Sequence, residues 1–316
     1  MRRVSVNRHP AERTGTEPLE FPLLYDASDK AAISAQRTHF RLVELRLVFL
    51  LGIAGVSAIS WNVINSEALG LTLIAGLLVL GLGVSLVQAS RRYDKIWFVT
   101  RSIAESLKSQ TWFYVMSVKP YDSEGTADDE FRKNLKRILD RQQSILPAVL
   151  AKGSEGQWIS EGMRNLRKQS SDIRKSVYVQ NRLADQRAWY SSKSLGFAKR
   201  ETGWFYLSIV LQLGAALLAL SMVLTMGNVS LFDATFAYFN PVGLVTTAAG
   251  ASLAWGESKR FGELSRSYSI VAGGLAELEE RARNIANDDQ LSSLVSETER
   301  SISQEHEVWL TRSLRD

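Results

Sequence analysis

The chain has 316 residues, 45% hydrophobic and 22% charged, with a formal net charge of +5 and no cysteine. The missing cysteines exclude disulfides, thiolate metal sites and lipidated thiols. All 38 Lys and Arg fall outside residues 47–90 and 201–258, which excludes an evenly mixed soluble protein and meets the membrane criterion of roughly 17–25 apolar residues per crossing.

Residues 1–26 are polar and Arg-rich and carry Pro10, Pro18 and Pro22. They read as a disordered basic tail without a signal-peptide pattern. The first membrane helix would then act as the uncleaved targeting signal.

A first unit spans 27–150. It opens with the phrase AQRTHF, in which Gln36 and Arg37 precede two rings, and continues into apolar segments at 47–64 and 69–88. A turn with Asn65, Ser66 and Glu67 joins them. The exit is Ser90-Arg91-Arg92-Tyr93. In the following helix Arg101 and Glu105 stand four apart, the spacing of a structural ion pair, with a nucleotide or catalytic role as the alternative. Residues 121–129 read as a loop and 131–145 as an amphipathic helix.

A second unit spans 151–316. From Trp158 to Arg200 only Gly162 and Gly196 interrupt the helical pattern, so one helix is expected to run into the third apolar segment, 204–226. On the way the opening phrase recurs as DQRAWY, with Gln186 and Arg187 in the matching places. The fourth apolar segment is 237–255, with Asn240 as cap and Pro241 in the first turn. Its exit, Ser258-Lys259-Arg260-Phe261, repeats the first exit. Phe261, Leu264, Tyr268, Val271, Leu275, Leu278, Ala282 and Ile285 alternate spacings of three and four, a coiled-coil seam. Asn287-Asp288-Asp289 marks a break before a last helix with Leu291, Leu294, Thr298, Ile302 and Trp309 on one side.

The fold class that follows is an all-α membrane protein: four transmembrane helices in two hairpins, with a long helical coiled-coil stalk. Neither hairpin loop carries Lys or Arg, whereas Arg41, Arg46, Arg91, Arg92, Lys199, Arg200, Lys259 and Arg260 flank the segments. The positive-inside rule puts both termini and the stalk in the cytoplasm. Basic flanks beside an anionic leaflet account for the net charge without a nucleic-acid partner.

Enzyme motifs are absent: no P-loop, no glycine-rich dinucleotide turn, no Gly-x-Ser-x-Gly and no His-Glu-x-x-His. His9, His39 and His306 are scattered, so no metal and no cofactor is expected. The apolar segments have uncharged interiors, which argues against a proton-coupled transporter. What they carry is small and mildly polar: Ser208, Gln212 and Ala215 on the third, Thr246 and Thr247 on the fourth. Such faces serve close helix packing or line a hydrated pore in an oligomer.

The stretches WFVTRSIAESLKSQTWFYVMSVKPYD (97–122), MRNLRKQSSDIRKSVYVQNRLADQRAWY (163–190) and ERSISQEHEVW (299–309) resemble the SLATT family, two-transmembrane effector domains associated with SMODS and SLOG proteins. The resemblance covers nearly everything from residue 27 onward, as two SLATT units in tandem. It implies a bacterial inner-membrane effector of conflict systems that forms pores or perturbs the membrane, with a nucleotide signal or a sensor protein as trigger and no catalytic residues. The competing expectation is a non-conducting scaffold whose stalk binds a partner. In either case Gln36/Arg37 and Gln186/Arg187 would make equivalent contacts with the helices leaving each hairpin.

Overall fold

In the computed structural model the described residues are 19–61, 65–141, 147, 157–225 and 238–313. The chain before Leu19, the second hairpin loop with Asn228 and Asp233, and the side chains of His306 and Trp309 lie outside that description. Among the described residues the structure is helical, with one isolated antiparallel bridge between Ile59 and Phe239. In chain order the helices are α1 (Leu23–Ser57), α2 (Glu67–Arg91), α3 (Tyr93–Val115), α4 (Ala127–Asp140), α5 (Glu161–Arg167), α6 (Ser171–Tyr178), a π-helical turn (Val179–Ala184), α7 (Asp185–Thr225), α8 (Pro241–Lys259), α9 (Phe261–Ala282) and α10 (Asp288–Ser313).

The chain divides into two compact units. Met1–Ala32, Ile96–Gln186 and Gly274–Asp316 form a polar unit; Ile33–Lys95 and Arg187–Gly273 form an apolar unit. Four helices, α1, α3, α7 and α9, contribute residues to both.

The polar unit has a conventional core. α4 buries Ala127, Phe131, Leu135 and Leu139, a repeat of four that keeps one face apolar. α3 contributes Ile103, Leu107, Trp112 and Tyr114, and α10 contributes Leu291, Leu294, Val295 and Ile302. Trp112 meets Tyr178 edge-on at 5.3 Å, and Phe131 lies 4.9 Å from Tyr114 and 5.7 Å from Tyr121.

The sequence expectations need four corrections. Residues 19–26 are not all tail: α1 starts at Leu23, Leu24 is buried, and Phe21 packs on Tyr25 at 4.9 Å. The helix expected over 158–200 breaks at Lys168–Ser170, where Ser170 is extended at φ −60°, ψ 157°. Beyond that break the chain is helical from Ser171 to Thr225, with the π-helical turn inside the run. α1 ends at Ser57 rather than 64, because Trp61 folds back and donates its indole N–H to the Val56 carbonyl at 2.8 Å. α9 ends at Ala282, so Ile285 lies past it; Phe261, Leu275, Leu278 and Ala282 of the seam are buried, while Leu264, Tyr268 and Val271 are partly exposed.

In the apolar unit backbones approach at small residues. A Cβ on Gly52 would meet Leu77 at 3.4 Å, and one on Gly81 would meet Phe49 at 3.8 Å. The end of α1 is tied to the start of α8 by main-chain bonds: Ser60 N–H to the Tyr238 carbonyl at 3.0 Å, and Asn240 N–H to the Ala58 carbonyl at 2.7 Å. Asn240 caps α8 as its sequence suggests, accepting from Val242 N–H at 3.1 Å. α7 and α9 exchange bonds at one level, Ser194 Oγ to the Ser265 carbonyl (2.8 Å) and Ser265 Oγ to the Ser194 carbonyl (3.0 Å).

The repeated exits take the same shape. Arg92 (φ 42°) closes α2 and Arg260 (φ 51°) closes α8, both left-handed, and in each case a new helix begins at the next residue. A left-handed residue is a common helix stop.

Gly70 gives a test of the first hairpin. A Cβ there would sit 2.6 Å from the Trp61 ring. Gly70→Val is expected to destabilise the protein by about 1–3 kcal/mol, the usual cost of overpacking. Adding Trp61→Ala should relieve most of the loss in thermal unfolding. Equal losses with and without Trp61 would show that the ring does not set this contact.

Candidate functional site

The apolar helices define the site. The helical runs Glu67–Val115 and Ser171–Leu224 each contain a window long and apolar enough to cross a membrane, and only 6% and 11% of those windows are buried. Large side chains point away from the protein: Leu71 and Val79 on α2 are each 68% exposed, Leu217 and Leu224 on α7 are 67% and 74% exposed. In water such a surface would be costly at about 25 cal/mol per Å²; against lipid tails it costs nothing.

The small polar residues fall in different places. Ser208 and Ala215 are buried inside the apolar unit, whereas Gln212 is exposed. The Gln212 amide donates to Ser208 Oγ at 2.9 Å. On α8 Thr246 is exposed and Thr247 partly so; their hydroxyls donate to the Val242 and Gly243 carbonyls, each at 2.8 Å. Thr72, Ser85, Ser221 and Ser252 likewise return to carbonyls of their own helices. A hydroxyl satisfied by its own backbone asks nothing of its surroundings, which is what an apolar medium requires.

In the repeated phrase the rings carry the packing. Trp189 and Tyr190 lie 5.4 and 5.1 Å from Tyr268 of α9. Phe40 lies 6.1 Å from Trp255, and the Lys259 ammonium sits 3.1 Å from the Phe40 centroid and 4.4 Å from that of Trp255. Burial beside those rings lowers the Lys259 pKa to about 8, with Arg200 adding to the drop and Glu44 opposing it. Gln36 and Gln186 are partly buried, and Arg37 and Arg187 are exposed.

The polar unit holds a charged group that sequence reasoning missed. Glu299 of α10 and Arg182 of the π-helical turn are 1% and 0% exposed. Arg182 forks onto the carboxylate, Nε to Oε1 at 2.8 Å and Nη2 to Oε2 at 2.6 Å; Ser109 Oγ donates at 2.6 Å and Tyr178 OH at 3.1 Å. Burial alone would raise the Glu299 pKa, but Arg182 and the hydroxyl donors overcome it and hold the carboxyl below its usual range. Burial pushes Tyr178 well up, and Glu299 adds to the shift.

Nearby, Arg101 bonds both Glu105 (2.6 Å) and Asp29 (3.1 Å), so the expected ion pair is present. Arg167 and Arg174 close the end of α3. Arg167 donates to the Tyr114 and Tyr121 carbonyls and Arg174 to the Met116 carbonyl, all at 2.6 Å.

Family models for the SMODS and SLOG-associating 2TM effector domains match almost all of the described chain, domain 3 over residues 22–175 and domain 1 over 178–309. The chain belongs to the SLATT family, as two SLATT domains in tandem. No curated protein and no solved structure matches it. The boundary between the SLATT domains, at 175–178, immediately precedes the π-helical turn. Each SLATT domain supplies residues to both spatial units: Ser109 comes from the first, Tyr178, Arg182 and Glu299 from the second, and Phe40 from the first meets Trp255 from the second.

The buried pair yields a double-mutant test. Arg182→Met leaves Glu299 buried without its counter-charge and should cost about 3–5 kcal/mol. Arg182→Met with Glu299→Leu should recover most of that, measured by thermal unfolding in detergent. Because the folded Glu299 pKa lies below the ordinary 4.5, its contribution is complete above about pH 4.5 and is lost as pH falls through the folded value. The double variant should therefore show a weaker acid dependence than the wild type.

Proposed function

We propose that this SLATT tandem is a bacterial inner-membrane effector of a conflict system, which assembles into homo-oligomers and opens a pore or disrupts the bilayer. The observation that carries the proposal is the pair of outward-facing apolar helices in a chain whose two halves are both effector domains. In this reading all four apolar segments cross the bilayer as two hairpins, both termini are cytoplasmic, and the seam of α9 contributes to a coiled-coil stalk. The trigger is a nucleotide signal or a sensor protein, and the protein carries out no catalysis.

The geometry narrows the pore candidates. Ser208 and Ala215 are covered by the chain's own packing, so Gln212, Thr246 and Thr247 are left to meet water in an assembly. Burial of Ser208 and Ala215 also favours a second reading, in which the small residues only pack helices and the protein is a non-conducting membrane scaffold.

Dye and ion flux from liposomes containing the purified protein separates the two. For a pore, Gln212→Leu should reduce flux without loss of assembly, since it keeps bulk and removes the polar group from the channel wall. For a scaffold, wild-type protein should assemble and never conduct, and Gln212→Leu should be neutral.

Topology is tested separately. A cysteine replacing Ser66, at the first hairpin turn, should react with an impermeant label outside intact spheroplasts, and one replacing Ser123 should not. External labelling at position 123 would reverse the orientation.

A further inference from the structure

Away from the apolar helices, the polar unit contains an open cavity of about 640 Å³ between α4 and the segment leading into α5. Among the described residues Arg132, Lys133 and Lys136 from α4 and Arg164 from α5 line one side of it, and Gln157, Trp158 and Ile159 the other. The volume is that of a site for a small organic molecule, for which about 300–1,000 Å³ is usual.

Two observations set this wall apart from an ordinary solvated face. Trp158 is 39% exposed and has no ring partner among the described residues. An uncovered indole beside a cavity is a stacking platform, since any planar ring can lie on its face. Ile159 next to it is buried, which fixes the backbone that presents the indole.

The second observation concerns how the cations are held. Arg164 pairs with Asp128 at 2.8 Å, Lys133 with Glu130 at 3.6 Å and Arg132 with Asp129 at 3.8 Å. All three acids lie in the first turn of α4, where they also suit the helix dipole. The pairs are exposed, and exposed pairs of this kind are weak, so the cations can turn to a stronger acceptor. Lys136, one turn along α4 from Arg132, has no acidic partner among the described residues.

The geometry points to a binding site for a soluble polyphosphate that carries a planar ring, its phosphates on Arg132, Lys136 and Arg164 and its ring on Trp158. A row of cations over one helical turn matches successive phosphates rather than a single carboxylate, and the guanidinium groups offer the forked donors that phosphate oxygens accept. Clustered phosphates could also come from a lipid surface. The indole, which offers a planar ring a face to stack on, favours the soluble source. The site does not depend on whether the protein conducts.

The test uses the full chain in nanodiscs of neutral lipid, with adenosine triphosphate as the ring-bearing probe, inorganic triphosphate as the ringless one and anionic vesicles as the lipid arm. Equilibrium dialysis should show saturable binding of adenosine triphosphate, competed by triphosphate. Lys136→Ala and Arg132→Ala should each weaken both probes about tenfold, the loss of one charge-assisted hydrogen bond. Trp158→Ala should weaken adenosine triphosphate and leave triphosphate unchanged. Both Lys136 and Trp158 are exposed, and unchanged thermal melts would show that the variants fold. The proposal fails if adenosine triphosphate does not bind in or below the millimolar range. It fails equally if binding ignores Lys136→Ala and Trp158→Ala, or if only anionic vesicles bind.

Discussion

A carboxylate that is 1% exposed survives only if its oxygens are filled, and Glu299 shows how this chain meets that demand. Four donor groups reach it: two nitrogens of Arg182, the Ser109 hydroxyl and the Tyr178 phenol. They come from three stretches of the polar unit, α3, α6 and the turn after it, so satisfying one acid fixes three segments against α10. Apolar packing could supply equal stability, but it would accept many registers. A forked guanidinium accepts one.

The same constraint makes the two SLATT domains a single folding problem. Neither is a separate globule. The first supplies Ser109 and the second supplies Glu299 to one polar unit; the first supplies Ile59 and the second Phe239 to one apolar unit. A hairpin of two apolar helices exposes backbone at its turn. The bridge at Ile59–Phe239, with the bonds from Ser60 and Asn240, satisfies main-chain groups of both domains at once. Within this chain each SLATT domain meets a complementary surface on the other.

What could be read from the sequence follows from which signals are periodic. The apolar helices, the buried face of α10 at Leu291, Leu294, Thr298 and Ile302, the Asn240 cap and the Arg101–Glu105 pair are local patterns, and all are present. The repeated exits were visible as Ser-basic-Arg-aromatic; their shared left-handed turn was not, because Arg has no special preference for that conformation. Glu299 looked like any surface acid in a polar helix, since its burial depends on Arg182, which lies far away in the chain. The break at Lys168–Ser170 was hidden for a related reason. No proline marks it, and the arginines on its two sides, Arg167 and Arg174, bond carbonyls at the end of α3 that are distant in the chain.

The apolar unit holds its polarity differently. Along its apolar segments Thr246 and Thr247 turn to their own helix and Gln212 turns to Ser208 one turn away, while Ser194 and Ser265, outside those segments, bond across from α7 to α9. Helix contacts are left to glycines and to large side chains such as Leu77 and Phe49. A hydroxyl satisfied within its own helix places no demand on the neighbouring helix. The polar unit has the opposite character: moving α10 would strip four donors from a buried carboxylate. One chain therefore pairs a unit tied together by a buried charged cluster with one whose apolar segments satisfy hydroxyls within their own helices.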